Sequence, residues 1–236
     1  MVNINQLPSV FGFDDVEIEW AIPGILPMSA ITAITGDSGS GKTTFAMFMA
    51  GHIASGSDFL GRPCVQRPVL VLDRENSLPV VRERLTRLKI YDEPNLIIAG
   101  GWLPGLALHP GSPEVLSWTK ETWPRPVIIV DVLRAFLEGD ENDSCAMRRF
   151  MSSPRRLADA GACVLLLHHT GRAGGNYRGS SDFKASVDVA YTLHNSSTNR
   201  LDRLVLRAFK QRFNVEQELK LVYSDDWFFP AENNGR

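Results

Sequence analysis

The chain has 236 residues, 44% of them hydrophobic, with 25 Lys and Arg against 27 Asp and Glu for a net charge of −2. That composition suits one large α/β domain with an ample core, gives no global sign of a nucleic-acid binder, and contains no apolar run long enough to span a membrane. Cys64, Cys145 and Cys163 are unevenly spaced without any C-x-x-C, which argues against a cysteine metal site and for a reducing, cytosolic setting; no secretory leader pattern opens the sequence.

Residues 1–28 read as a lead-in, with a short alternating strand at "VEIEW" and a turn-rich "AIPGILP". A main domain is expected over 29–230 and a polar tail over 231–236. Within the domain, short runs rich in Val, Ile and Leu predict buried strands at Ala30–Thr35, Val69–Asp73, Leu96–Ala99, Val127–Asp131 and Ala162–His168. Helices are expected after Lys42, across Leu78–Lys89 and from about Asp143 to Ala160. The second has Leu78, Val81, Leu85 and Leu88 on one face and Ser77 as N-cap. The third carries Pro154, which predicts a kink or break. Alternating strands and helices imply a doubly wound, mainly parallel sheet. From Val187 the pattern becomes "VDVAYTL", "RLVLRAF" and "ELKLVY", which reads as an antiparallel extension of that sheet.

The stretch "GDSGSGKT" at 36–43 follows the first strand and fits G-x-x-x-x-G-K-[ST]. Its glycines let backbone N–H groups curl inward as an anion nest, and the helix behind adds its positive end. Gly36, Asp37, Ser38, Gly39, Ser40, Gly41, Lys42, Thr43 and Thr44 are thus the expected nucleotide cradle. Lys42 would reach the β and γ phosphates, and the Thr43 hydroxyl would hold Mg²⁺. In such a sheet the nucleotide sits at the carboxyl ends of the strands, so the residues ending each strand are the next candidates. Asp131 ends "VIIVD" and would hold Mg²⁺ opposite the loop. Asp73 and Glu75 in "VLVLDREN" are two candidates to activate water. His168 and His169 end "LLLHHT", where a neutral imidazole can hydrogen-bond a phosphate or the attacking water. Residues 171–212 carry eight Lys/Arg and three Asp/Glu, a local +5 that leaves −7 elsewhere.

These residues carry a family resemblance. "IPGILP", "GDSGSGKTT", "DRENS…RERL", "VIIVDVLRAFLEGDEND", "LLLHHTGRAGGNYRGSS" and "FKQR" resemble the RecA-like ring ATPases. They are most similar to the plasmid-type hexameric replicative helicases and their bacterial and phage AAA-type relatives. The resemblance runs from about Trp20 to Tyr223. It implies an ATP- and Mg²⁺-dependent motor that forms a homo-oligomeric ring and acts on single-stranded DNA. Glu75, not Asp73, matches the catalytic base; Asp131 matches the metal-associated aspartate, and His168-His169 the sensor. "GRAGGNY" matches the loop facing the ring's channel, where Arg172 would bind the strand and Tyr177 would stack on a base. Lys210 and Arg212 resemble paired fingers inserted into the neighbouring subunit's site, with Arg178 of "RGSS" as the rival finger. Ser29 stands where relatives usually have glycine. The acidic "LEGDEND" after Asp131 keeps a second reading open, a ring ATPase that switches a protein partner instead of moving on DNA.

Overall fold

The computed structural model describes residues 9, 17–105, 107–169, 181–196 and 202–231. Its centre is a nine-stranded sheet built from short apolar runs in the earlier part of the chain and from alternating segments in the later part. In chain order the described elements begin with a small hairpin, β1 (Trp20–Ile22) and β2 (Leu26–Pro27). There follow β3 (Ala30–Gly36), α1 (Lys42–Ser55), β4 (Val69–Asp73), α2 (Leu78–Arg87), β5 (Leu96–Gly100) and α3 (Pro113–Glu121). Next come β6 (Val127–Asp131), α4 (Leu133–Phe136), α5 (Ser144–Asp159), β7 (Cys163–His169) and α6 (Ser181–Ser186). The chain then adds β8 (Val189–Asn195), β9 (Arg203–Gln211), β10 (Glu218–Ser224) and β11 (Trp227–Pro230).

The sheet order is β11-β10-β9-β8-β3-β7-β6-β4-β5. β5, β4, β6, β7, β3 and β8 are parallel to one another, and β9, β10 and β11 follow antiparallel. The antiparallel extension therefore starts one strand later than the sequence pattern suggests, because β8 pairs parallel with β3 on one edge and antiparallel with β9 on the other. Side chains alternate across the sheet as strand geometry requires. Val69, Val71, Val127, Ile129, Leu165 and Leu167 face the layer of α1. Leu70, Leu72, Ile128, Val130, Val164 and Leu166 face the layer of α5. No helix among the described residues is long and apolar enough to cross a membrane.

Several expectations need correction. In "VEIEW" residues 17–19 are not strand, and pairing begins only at Trp20. The segment from Ala21 is more than a lead-in, since Ala21, Ile22, Ile25 and Leu26 are fully buried in the α1-side core. Leu78 stays 41% exposed, so the buried stripe of α2 rests on Val81 and Leu88 with Leu85 beside it. Ser77 is the N-cap of α2 but its side chain makes no capping bond. α5 runs unbroken through Pro154, which is buried within it. Ser29 has φ 54°, in the left-handed region where glycine is cheapest, so the family's glycine preference there has a backbone reason.

The C-terminal strands do more than widen the sheet. β11 lays Phe228 against α1, with ring centroids 5.2 Å from Phe45 and 4.9 Å from Phe48, and 4.7 Å from Tyr223 of β10. Phe228 is 1% exposed. Phe228→Ala is expected to cost about 3–5 kcal/mol, the range for deleting a buried Phe. Chemical denaturation of the two proteins measures it.

Candidate functional site

The loop between β3 and α1 has the shape its glycines allow. Gly39 and Gly41 take φ +79° and +92°, a conformation that side-chain-bearing residues avoid. At Gly36 a Cβ would lie 2.5 Å from the Leu193 carbonyl oxygen and 2.7 Å from Ser40 Oγ, so any larger residue would collapse the turn against β8. Gly41 is the N-cap of α1, which places the helix's positive end at the loop. Lys42 is 5% exposed and folds back over the loop, its ammonium donating to the carbonyls of Gly36 (2.9 Å) and Asp37 (2.8 Å). Burial pulls the Lys42 pKa below the usual lysine range, while Asp131, Glu75 and Asp37 pull the other way. An incoming phosphate would take over these donors from two carbonyls of the chain itself.

Parallel register brings the remaining candidates to one line. Asp73 of β4 is the register partner of Asp131 of β6, and Gly36 of β3 that of His169 of β7. Thr43 Oγ1 donates to Asp131 Oδ1 at 3.2 Å. The other oxygen of Asp131, Oδ2, is buried and has no hydrogen-bond partner among the described residues. An orphaned buried carboxylate oxygen beside a hydroxyl fits a hard cation that completes its shell with phosphate and water oxygens. No cluster of three or more His, Cys, Asp or Glu able to hold a metal appears among the described residues, so Thr43 and Asp131 would share Mg²⁺ with the nucleotide. Burial, with the neighbouring Asp73 charge, pushes the Asp131 pKa up to about 7.

Asp73 and Glu75 have different jobs. Asp73 is fully buried and accepts from the backbone N–H of Glu75 (2.9 Å) and Asn76 (2.9 Å) and from Asn76 Nδ2 (3.0 Å). Its carboxylate is spent shaping the turn. Glu75 is turned out toward the phosphate loop, its Oε1 3.8 Å from His169 Nε2. On its other side His169 meets Lys42, with Nδ1 3.4 Å from Nζ. Because Lys42 can only donate, the neutral ring accepts at Nδ1 and keeps its proton on Nε2, facing Glu75. Burial and the Lys42 charge hold the His169 pKa below the usual histidine range, so the ring is neutral at physiological pH.

The histidine pair does not act as a pair. His168 is fully buried on the opposite side of β7, its ring 5.1 Å from that of Phe183 in α6. Successive residues of a strand face opposite layers, so only one of two adjacent histidines can reach the loop. Lys210 and Arg212 do share a face, but it covers the C-terminal end of α6. Lys210 Nζ donates to the Lys184 and Ala185 carbonyls. Arg212 pairs with Asp188 at 2.8 Å. Neither bonds the phosphate loop of its own chain among the described residues. Arg172, Tyr177 and Arg178 lie outside the described residues.

One residue escaped the sequence reading, and another, Arg84, enters it only through its family spacing after Glu75. Asn76 clamps Asp73, and the D-x-x-N spacing at a strand end is the signal that identifies such a turn. Arg84 lies on the core stripe of α2 between Val81 and Leu88. Its Nη1 is buried without a partner among the described residues, and its charge favours the ionised form of Asp131.

Two outcomes follow from these energetics. Lys42→Ala removes the loop's only cation and should weaken ATP binding by more than about a hundredfold, since hydrogen bonds to charged groups contribute about 1.5–3 kcal/mol each; equilibrium binding measures it. For Asp131, the native state keeps a proton that the unfolded chain releases near the ordinary value of 3.8. The native state binds more protons across that window, so stability of the metal-free protein falls as pH rises from about 4 to about 7 and levels off above. Asp131→Asn should flatten that slope and stabilise the metal-free protein at pH 8 by at least about 1.4 kcal/mol, the value of one pKa unit. Thermal denaturation in a chelator across this pH range measures both.

A strand–loop–helix cradle, a half-satisfied buried carboxylate two strands away on β6 and the Glu75 carboxylate thus lie together at the carboxyl ends of the parallel strands, where α/β sheets hold nucleotides. Comparison with curated proteins finds no match. A protein-family model described as AAA domain matches residues 14–175, spanning the cradle, Glu75, Asp131 and His169. That match covers more than half of the chain, and the chain belongs to this family of AAA-type P-loop ATPases.

Proposed function

We infer that the chain is a motor ATPase which hydrolyses ATP in a homo-oligomeric ring, hexameric in the helicases it resembles, and moves on single-stranded DNA. One observation carries the hydrolytic part. Lys42, His169 and Glu75, from three separate segments, stand in a row with separations of 3.4 and 3.8 Å. In this reading the loop and Lys42 hold the β and γ phosphates, and Mg²⁺ at Thr43 and Asp131 neutralises the charge that develops there. Glu75 takes the proton of the attacking water. His169, linked to both Lys42 and Glu75, registers whether the γ phosphate is in place. The DNA part rests on the family resemblance and the basic 171–212 stretch. A second reading, a regulatory switch acting on a protein partner, is favoured by the exposed acidic residues Glu138, Asp140 and Asp143 beyond Asp131, which oppose a nucleic-acid backbone. ATP turnover at low salt with and without single-stranded DNA separates the two. Stimulation of several fold supports the motor, and no stimulation with the oligomer confirmed supports the switch.

Glu75→Gln should retain ATP binding and lose about 10²–10⁴-fold in turnover, the usual contribution of general-base catalysis. Asp73→Asn should instead lower stability by about 1–3 kcal/mol through its lost acceptor, read by denaturation. For the finger, Arg212 is 57% exposed on the sheet face beside α6, available to a neighbouring subunit. Arg212→Ala is expected to keep ATP binding and lose about 10³-fold or more in turnover. Mixing it with Glu75→Gln should restore part of the rate, since some interfaces then join an intact base to an intact finger. If Arg212→Ala is silent and Arg178→Ala inactive, Arg178 is the finger.

A further inference from the structure

Arg74 and Glu75 are consecutive residues beyond β4, yet they serve opposite layers of the sheet. Glu75 approaches His169 on the α1 side. Arg74 turns to the α5 side, where its guanidinium lies 4.5 Å from the centroid of the Phe136 ring, a member of the α5-side core. Its Nη2 also donates to the carbonyls of Ala107 (3.4 Å) and Leu108 (3.2 Å), in the loop after β5. The described residues of that loop and the tips of β4 and β5 border an open pocket of about 460 Å³, lined by Ala99, Gly100, Gly101, Leu103, Leu108 and the Arg74 side chain. The volume is within the range of small-molecule sites, and the place, at the carboxyl ends of parallel strands, is where α/β sheets hold ligands.

The lining selects the ligand. Among the described residues its walls are mainly apolar side chains and glycine backbone, the ionised group lining it is the exposed Arg74, and no carboxylate pairs with that guanidinium. A cationic guest would be repelled, whereas a carboxylate would add a charge-assisted partner to a guanidinium that now meets only carbonyls and a ring. The pocket is also wired to the nucleotide site through the main chain. Arg74 N–H donates to the Asp131 carbonyl at 3.2 Å, and Glu75 N–H to Asp73 Oδ1 at 2.9 Å. A ligand that draws Arg74 into the pocket therefore pulls on the peptide that carries Glu75.

We propose that this pocket binds a small amphipathic anion, an apolar body bearing one carboxylate, and that its occupancy sets the rate of ATP turnover through Glu75. The binding stands by itself; the effect on turnover rests on the reading of Glu75 as the base. The test uses the full chain with 2-naphthoate as probe and 2-naphthalenemethanol as its neutral counterpart. Calorimetry without nucleotide should give saturable 2-naphthoate binding, one per chain, with a dissociation constant on the order of 1 mM or tighter. The neutral compound and Arg74→Gln should each weaken binding about tenfold or more, as loss of a charge-assisted bond requires. Gly101→Leu fills the pocket at a glycine whose added Cβ meets nothing within 4 Å, so it should fold, keep basal ATP turnover and bind no probe. Saturating 2-naphthoate should change turnover of the unaltered protein at least twofold and that of Gly101→Leu not at all. Absence of saturable binding overturns the site, as does equal binding by the neutral compound or binding that survives both substitutions. Saturable binding with unchanged turnover overturns the coupling. A protein that binds the probe as expected but hydrolyses no ATP fails the ATPase reading while the site stands.

Discussion

Two carboxylates buried side by side organise this molecule. Parallel pairing of β4 with β6 places Asp73 and Asp131 at adjacent strand tips, where neither can be hydrated freely. Like charges at that separation cannot both remain unanswered in a low-dielectric setting. The chain answers one from within: three N–H donors of the following turn close on Asp73 and so fix the direction in which Glu75 leaves the strand. The other receives a single hydroxyl, from Thr43, and its second oxygen has no hydrogen-bond partner among the described residues. The difference between a satisfied and an unsatisfied acid is what separates scaffold from site here.

The main path of the chain was legible because it obeys simple periodicities. The five runs read as buried strands are all strands, within a residue at either end, because strands covered on both faces have little choice but Val, Ile and Leu; β5 is the exception in burial, an edge strand that leaves Ile97 46% exposed. The phosphate loop was legible because its glycines answer backbone demands that few other residues meet. What was not legible depends on direction or on partners distant in sequence. Reading His168 and His169 together ignored the two-residue period that sends them to opposite layers. α3 begins with Pro113 after a glycine- and proline-rich loop and buries only Val115 and Thr119, a weaker stripe than a core helix offers. Pro154 suggested an interruption that the well-packed face of α5, from Met147 through Phe150 to Leu157, evidently outweighs. The D-x-x-N turn was present in the sequence, but its meaning needed the burial of Asp73.

The ion pairs flanking α6 follow from the same accounting. Asp188 is nearly enclosed, and it accepts from Ile31 N–H at the start of β3 as well as from Arg155 and Arg212. Arg155 also reaches the Ser186 carbonyl, and Lys210 those of Lys184 and Ala185, so the end of a short helix is covered by cations, as its dipole favours. One buried carboxylate thus ties the central strand, α5 and the last turn before β10 to a single point. Among the described residues of this basic stretch, Lys210 and Arg212 thus serve internal contacts, while Lys184, Arg203 and Arg207 stay exposed.

The hydrogen bonds of β8 have a consequence for where this domain can be divided. The family match stops at residue 175, but β3, the strand that delivers the phosphate loop, is paired along its other edge with Val189–Thr192. Thr35 donates its hydroxyl to the Tyr191 carbonyl, and the Tyr191 hydroxyl reaches back to Ile25 in the opening hairpin. A chain cut near 175 would turn the central strand into an open edge, with a row of unanswered amides beside the very loop that must hold phosphate. It would also strip the aromatic cover from α1. The sequence signature of the enzyme and the smallest piece able to carry it are different lengths of chain, and the last sixty residues belong to the catalytic unit as mortar belongs to a keystone.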